Sequence, residues 1–138
     1  MAYIEWSNDY NVAVKKFNDD HKKLFDYIND LHRGMTSGFT IADMSYILKE
    51  LIDYTRTHFK TEEKLMEKFD YPDLESHREE HAKLLEQVDD YYTDFQKGKK
   101  AFTLTLLQFL NEWITNHILD TDMKYKSFFK EVAKNQTE

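Results

Sequence analysis

With 138 residues the chain is long enough for one buried core and too short for two, and 26 acidic against 19 basic residues give a formal charge of −7, which argues against a nucleic-acid partner. Three Gly and one Pro leave almost no turn material for a sheet protein, and the absence of Cys excludes disulfides, thiolate nucleophiles and sulfur-ligated metals. An apolar share of 41% is still sufficient for a core, so the expectation is one all-α domain over residues 1–138.

Residues 1–18 lack a helical period, and Trp6 and Tyr10 within them need cover, so this segment reads as an arm packed on the helices. Its start has no basic and apolar leader, and no apolar run in the chain is long enough to span a bilayer; no membrane insertion and a cytoplasmic location are expected. The first helix is predicted over about 19–37, with a seam of His21, Leu24, Ile28, Leu31 and Met35, ending at Ser37-Gly38. Thr40 can cap a second helix over about 41–69, whose 3-4 alternation runs Ile41, Met44, Leu48, Leu51, Thr55, His58, Glu62, Leu65 and Phe69. Pro72 cannot continue that helix and suits the start of a third over about 73–97, with Leu74, His77, His81, Leu84, Val88, Tyr91 and Phe95 in phase and a stop near Gly98. The fourth, about 101–120, carries Leu106, Leu110, Trp113 and His117 and fades at Asp120-Thr121-Asp122. Tyr125, Phe128 and Phe129 then suggest a short C-terminal helix in 121–138. Short connections imply an up-down-up-down antiparallel four-helix bundle.

His21, His58, Glu62, His77, His81 and His117 occupy seam positions where the period calls for Leu or Ile. An unpaired buried imidazole or carboxylate costs on the order of a few kcal/mol, so together such groups would consume a domain's stability unless something compensates them. Their heights say what it is: they lie at the start of the first and third helices and near the end of the second and fourth, which meet at one end of an antiparallel bundle. At about 1.5 Å rise per residue they fall within roughly two turns of one level. One histidine at a seam is ordinarily a core or surface residue, and one His-x-x-x-His pair is a weak signal; the conjunction over four helices reads as a metal site.

Nitrogen and carboxylate oxygen without sulfur disfavour calcium and magnesium. The ligands are too many for one ion. On a pair of six-coordinate ions, five imidazoles, two bridging carboxylates and a shared oxide or hydroxide leave one position open, which suits dioxygen and favours iron over redox-silent zinc. For the second carboxylate the seam phase points to Asp120, while Asp122 reaches the site only if the fourth helix ends or widens near Asp120.

His21 in Asp-His-Lys-Lys-Leu, His58-Phe59-x-x-Glu62-Glu63, His77-x-x-x-His81 and His117-Ile118-x-x-x-Asp122 together resemble the signature of the haemerythrin family, in particular its bacterial single-domain members. The resemblance spans almost the whole chain. It implies reversible dioxygen binding at two iron ions with a bridging oxo or hydroxo group. His77, His81 and His117 would bind one iron and His21 and His58 the other, with Glu62 and Asp122 between them. It further implies an oxygen pocket of Phe59, Trp113, Ile114 and Ile118. A non-enzymatic carrier or store follows, expected as a monomer, with an oxygen- or redox-sensing module and a di-iron oxidase or peroxidase as the alternatives. No Glu-x-x-His pair of the kind found in di-iron oxidases occurs. Asp19-Asp20 stands before His21 where many relatives have Gln at the adjacent position, and Ile114 where Leu is common; neither is expected to touch a ligand. Tyr125, three residues past Asp122, is a candidate for contact with the site, and His32 reads as a flanking residue.

Overall fold

The computed structural model describes residues 3–97 and 104–136, with the side chains of 104–106, 120–121 and 133–136 excepted. Among these residues every regular element is helical: a 3-10 turn at Asn8–Tyr10, then α1 (Lys15–Ser37), α2 (Ile41–Lys68), α3 (Leu74–Gln96) and α4 (Leu104–Asn116). A π-helical turn at His117–Asp122 follows and leads without a loop into α5 (Met123–Gln136). The expected stop at Gly98, the expected helix start at 101 and the side chains of Leu106 and Asp120 lie outside the described residues.

The helix ends follow local chemistry. Gly38, at φ 74°, takes the left-handed conformation that closes α1 and that a Cβ would strain. Thr40 and Asp43 form a reciprocal capping box at the start of α2, satisfying two backbone N–H groups that the first turn leaves free. At its other end α2 stops before Asp70, whose φ is +56°, and Pro72. α1 begins one turn earlier than the seam from His21 suggests, because Phe17 lies four residues before His21 on the same face and is fully buried.

α1 packs against α2 and α4, and α2 against α3, in an antiparallel bundle. Leu31, Met44, Leu48, Leu51, Val88 and Leu110 fill its apolar part. The α2 seam drifts: Ile41 is 77% exposed, and Met66 rather than Leu65 is fully buried. A strict heptad pattern slips by about 20° per heptad on a straight helix, which over this length carries the first seam residue out and its neighbour in at the far end.

The arm is fastened rather than loose. Asn29 holds Ile4 by two hydrogen bonds of 2.9 Å, and Asn18 Oδ1 accepts from Val12 N at 3.0 Å. Ile4 and Val12 are its buried residues, while Trp6 and Tyr10 are half-buried, the first under Lys22 and the second edge-on to Phe25. The 3-10 turn lies against the π turn. His32 is half-buried and stacked on Tyr3.

Candidate metal centre

His21 lies near the start of α1, His58 and Glu62 near the end of α2, His77 and His81 at the start of α3, and His117 and Asp122 bound the π turn. All are buried. Asp122 stands five residues from His117, which on a regular helix is about 140° round the axis. The π turn, whose bonds run five residues along, brings its Oδ1 to 3.0 Å from His117 Nε2.

The ring nitrogens divide between the two oxygens of each carboxylate. Glu62 Oε2 is 3.3 Å from His58 Nε2 and 3.8 Å from His21 Nε2, and Asp122 Oδ2 is 3.1 Å from His21 Nε2. Glu62 Oε1 is 3.2 Å from His81 Nε2 and 3.7 Å from His77 Nε2, while Asp122 Oδ1 is 3.2 Å from His77 Nε2. Two groups result, His77-His81-His117 and His21-His58, each able to hold a cation and each sharing Glu62 and Asp122. Nε2 of all five histidines, Glu62 Oε1 and both Asp122 oxygens are buried without a hydrogen-bond partner. Orphaned lone pairs aimed at a common interior are costly unless a cation takes them, so this donor set fits a pair of metal ions.

Behind these residues lies a set of supports, of which helix spacing marks Tyr125 but neither Asp20 nor Glu63. Asp20 Oδ2 accepts from His58 Nδ1 at 2.7 Å and Glu63 Oε2 from His81 Nδ1 at 2.9 Å, fixing tautomers that leave Nε2 free for a cation. The Asp20 contact corrects the expectation that the Asp19-Asp20 pair stands clear of the ligands: Asp20 follows the buried face of α1 and reaches across to α2. Tyr125 donates from its hydroxyl to Glu62 Oε2 at 2.6 Å, and Phe59 stacks flat on His81 at 3.7 Å between ring centres.

Charge within the cluster is self-compensating. Burial works against the Glu62 charge, yet His58, His77 and His81 hold its pKa well below the ordinary value, and Asp122 is likewise lowered by His117 and His21. Burial also opposes protonation of His58 and His77, but the carboxylates carry them up to about 10 and about 9.

The family model of the Hemerythrin HHE cation binding domain matches residues 12–129. This chain belongs to the haemerythrin family. It is 32% identical to a bacteriohemerythrin of Stenotrophomonas maltophilia, over 91% of this chain and 80% of that one. It is 36% identical to a hemerythrin-like protein of Naegleria gruberi, over 89% and 91%. Wild-type hemerythrin in the crystal superposes with a TM-score of 0.85 at 31% identity, covering 91% of this chain and 97% of that one, and a hemerythrin variant with one leucine replaced by tyrosine gives 0.86 at 33%, covering 92% and 97%. As in its relatives' class, the haemerythrin bundle here is all-α, and among its described residues no helix is long and apolar enough to cross a membrane.

Beside the cluster this haemerythrin chain has a cavity of about 10 Å³, room for one water-sized molecule. Phe59, Trp113, Ile114 and Ile118 line it, together with Leu24 and Leu84, and it borders His21, His58 and His117 but not His77 or His81. Leu24 and Leu84 are seam residues one turn above His21 and His81, a spacing that marks them for the pocket.

Proposed function

We propose that this chain binds dioxygen reversibly at two irons, one held by His77, His81 and His117 and the other by His21 and His58, with Glu62 and Asp122 bridging. The observation that carries the reading is the division of each carboxylate between the two histidine groups, with a small apolar cavity against His21, His58 and His117. Iron held by these residues, with an oxo or hydroxo group as its further ligand, would supply the redox chemistry, two electrons taken up by dioxygen on binding and returned on release. Everything else falls to the chain. Asp20 and Glu63 orient His58 and His81, Tyr125 steadies Glu62, and Leu24, Phe59, Leu84, Trp113, Ile114 and Ile118 keep bulk water from the cavity, which favours an apolar diatomic and slows its loss.

A carrier or store rather than an enzyme fits a histidine-rich ligand set without Glu-x-x-His pairs. We take it to act in the cytoplasm as a monomer; an oxygen-using enzyme would be its recipient in the delivery form of this reading, and none is needed for storage. Metal analysis of the purified protein followed by anaerobic reduction and spectra in air and after purging tests the reading. Two irons per chain and a ligand-to-metal band that forms in oxygen and fades on purging are expected. A band that decays at once to a ferric product would replace the carrier by an oxidase or sensor, and zinc in place of iron would end the dioxygen reading.

A further inference from the structure

His58 and His81 both turn Nδ1 away from the cluster onto a carboxylate, but the two carboxylates are unlike. Glu63, behind His81, has a side chain 23% exposed and shares its charge with Arg78 at 3.5 Å. Asp20, behind His58, has a side chain only 3% exposed, and its oxygens take three hydrogen bonds: Oδ2 from His58 Nδ1 at 2.7 Å, and Oδ1 from Tyr54 Oη and Lys16 Nζ, each at 2.8 Å. Of these two carboxylates the more buried therefore stands behind the group with fewer imidazoles, both of whose rings border the cavity, whereas the other group reaches it through His117 alone.

A carboxylate that accepts from Nδ1–H draws that proton toward itself and leaves more electron density on Nε2 of the same ring. A richer imidazole stabilises the higher oxidation state of the ion it binds. Tyr54 and Lys16 pull on the same carboxylate in the opposite sense; Tyr54 does so from a half-buried site, whereas the Lys16 side chain is 63% exposed and its effect is screened by solvent.

We infer that Asp20 is a positioning residue which fixes the His58 ring and lowers the reduction potential of the iron at the His21-His58 group, and that Tyr54 moderates this effect by sharing the Asp20 charge. The inference rests on the di-iron reading above. It makes a prediction of sign that a merely structural role does not: loss of the charge at Asp20 and loss of the hydroxyl at Tyr54 shift the potential in opposite directions.

The test is a spectroelectrochemical titration of the iron-loaded full chain, with iron content measured on each sample. Asp20→Asn keeps an oxygen for His58 Nδ1–H but removes the charge, and one of the two one-electron steps is expected to become easier by about tenfold in the ferric-to-ferrous ratio, about 59 mV more positive. Tyr54→Phe leaves more charge on Asp20 and is expected to shift that step the other way, by roughly two- to threefold. If Asp20→Asn fails to hold two irons, Tyr54→Phe decides alone by its sign. Unchanged potentials in variants that hold two irons, or shifts of the same sign in both, would overturn the inference while leaving the di-iron reading intact. A wild-type chain that takes up no iron would overturn that reading instead.

Discussion

Glu62 sits fully buried among imidazoles, and the metal-free chain must find its counter-charge there in protons. Burial resists the charge on His58 and His77, but Glu62, Asp20 and Asp122 overcome it and lift these groups from the ordinary 6.5 to about 10 and about 9. A raised folded pKa stabilises fully below the unfolded value and loses that contribution as pH climbs through the folded one. Glu62, Asp122 and Asp20 are lowered from 4.5, 3.8 and 3.8, so their contribution is present above those values and vanishes in acid. Urea midpoints of the metal-free protein should therefore peak between roughly pH 5 and 6.5 and decline toward pH 10. A flat profile between pH 6.5 and 10 would show that the folded cluster holds no extra protons.

At the scale of elements, the π turn acts as a spacer between two faces that both need the core. His117 at its first position, Asp122 at its last, and Tyr125 and Phe129 after it are all buried, while Leu119 within it is 42% exposed. A π turn accommodates one residue more than a regular turn, so removing Leu119 should restore an α-helix with Asp122 now four residues from His117. That is the spacing by which His58 and Glu62 already meet. Deletion of Leu119 is accordingly expected to keep the fold, two metals and a stability within about 1 kcal/mol. Deletion of exposed Lys124 instead rotates Tyr125 and Phe129 by about 100° out of the core and should cost roughly 3–5 kcal/mol. Equal loss of metal in both deletions would show that the π turn's own geometry is required. This turn also marks where the sequence was legible and where it was not. The five histidines and Glu62 could be read because a heptad seam fixes both face and height, and Phe17 carried the same signal one turn before His21. Asp122 could not be chosen over Asp120 by spacing, since a straight helix favours Asp120 and a widened turn has no compositional mark. Asp20 and Glu63 escaped because their contacts run between helices and depend on how each helix is rotated against its neighbour.

For the molecule as a whole, the cluster sets the ends of every helix against one another. One end of the bundle is apolar, with Met44, Leu48 and Phe95 in its core; the other gathers five imidazoles and three carboxylates from α1, α2, α3 and the π turn, roofed by Tyr125 and Phe129 of α5 against Phe17 and Tyr71. A cation pair that binds only when these elements are assembled stabilises all of them at once, by about 4 kcal/mol at free metal a thousandfold above its Kd. For a chain of this size that corresponds to a rise in Tm on the order of 15 °C, at roughly 4 °C per kcal/mol. Because metal must displace the protons on His58 and His77, the gain should shrink steadily as pH falls through about 10 and about 9 and on into acid. Calorimetric scans of metal-free and iron-loaded protein across that range measure both effects together. A difference in Tm under about 5 °C at neutral pH, or one indifferent to acid, would mean that protons and ion pairs already satisfy the buried end, and that metal adds chemistry without holding the bundle closed.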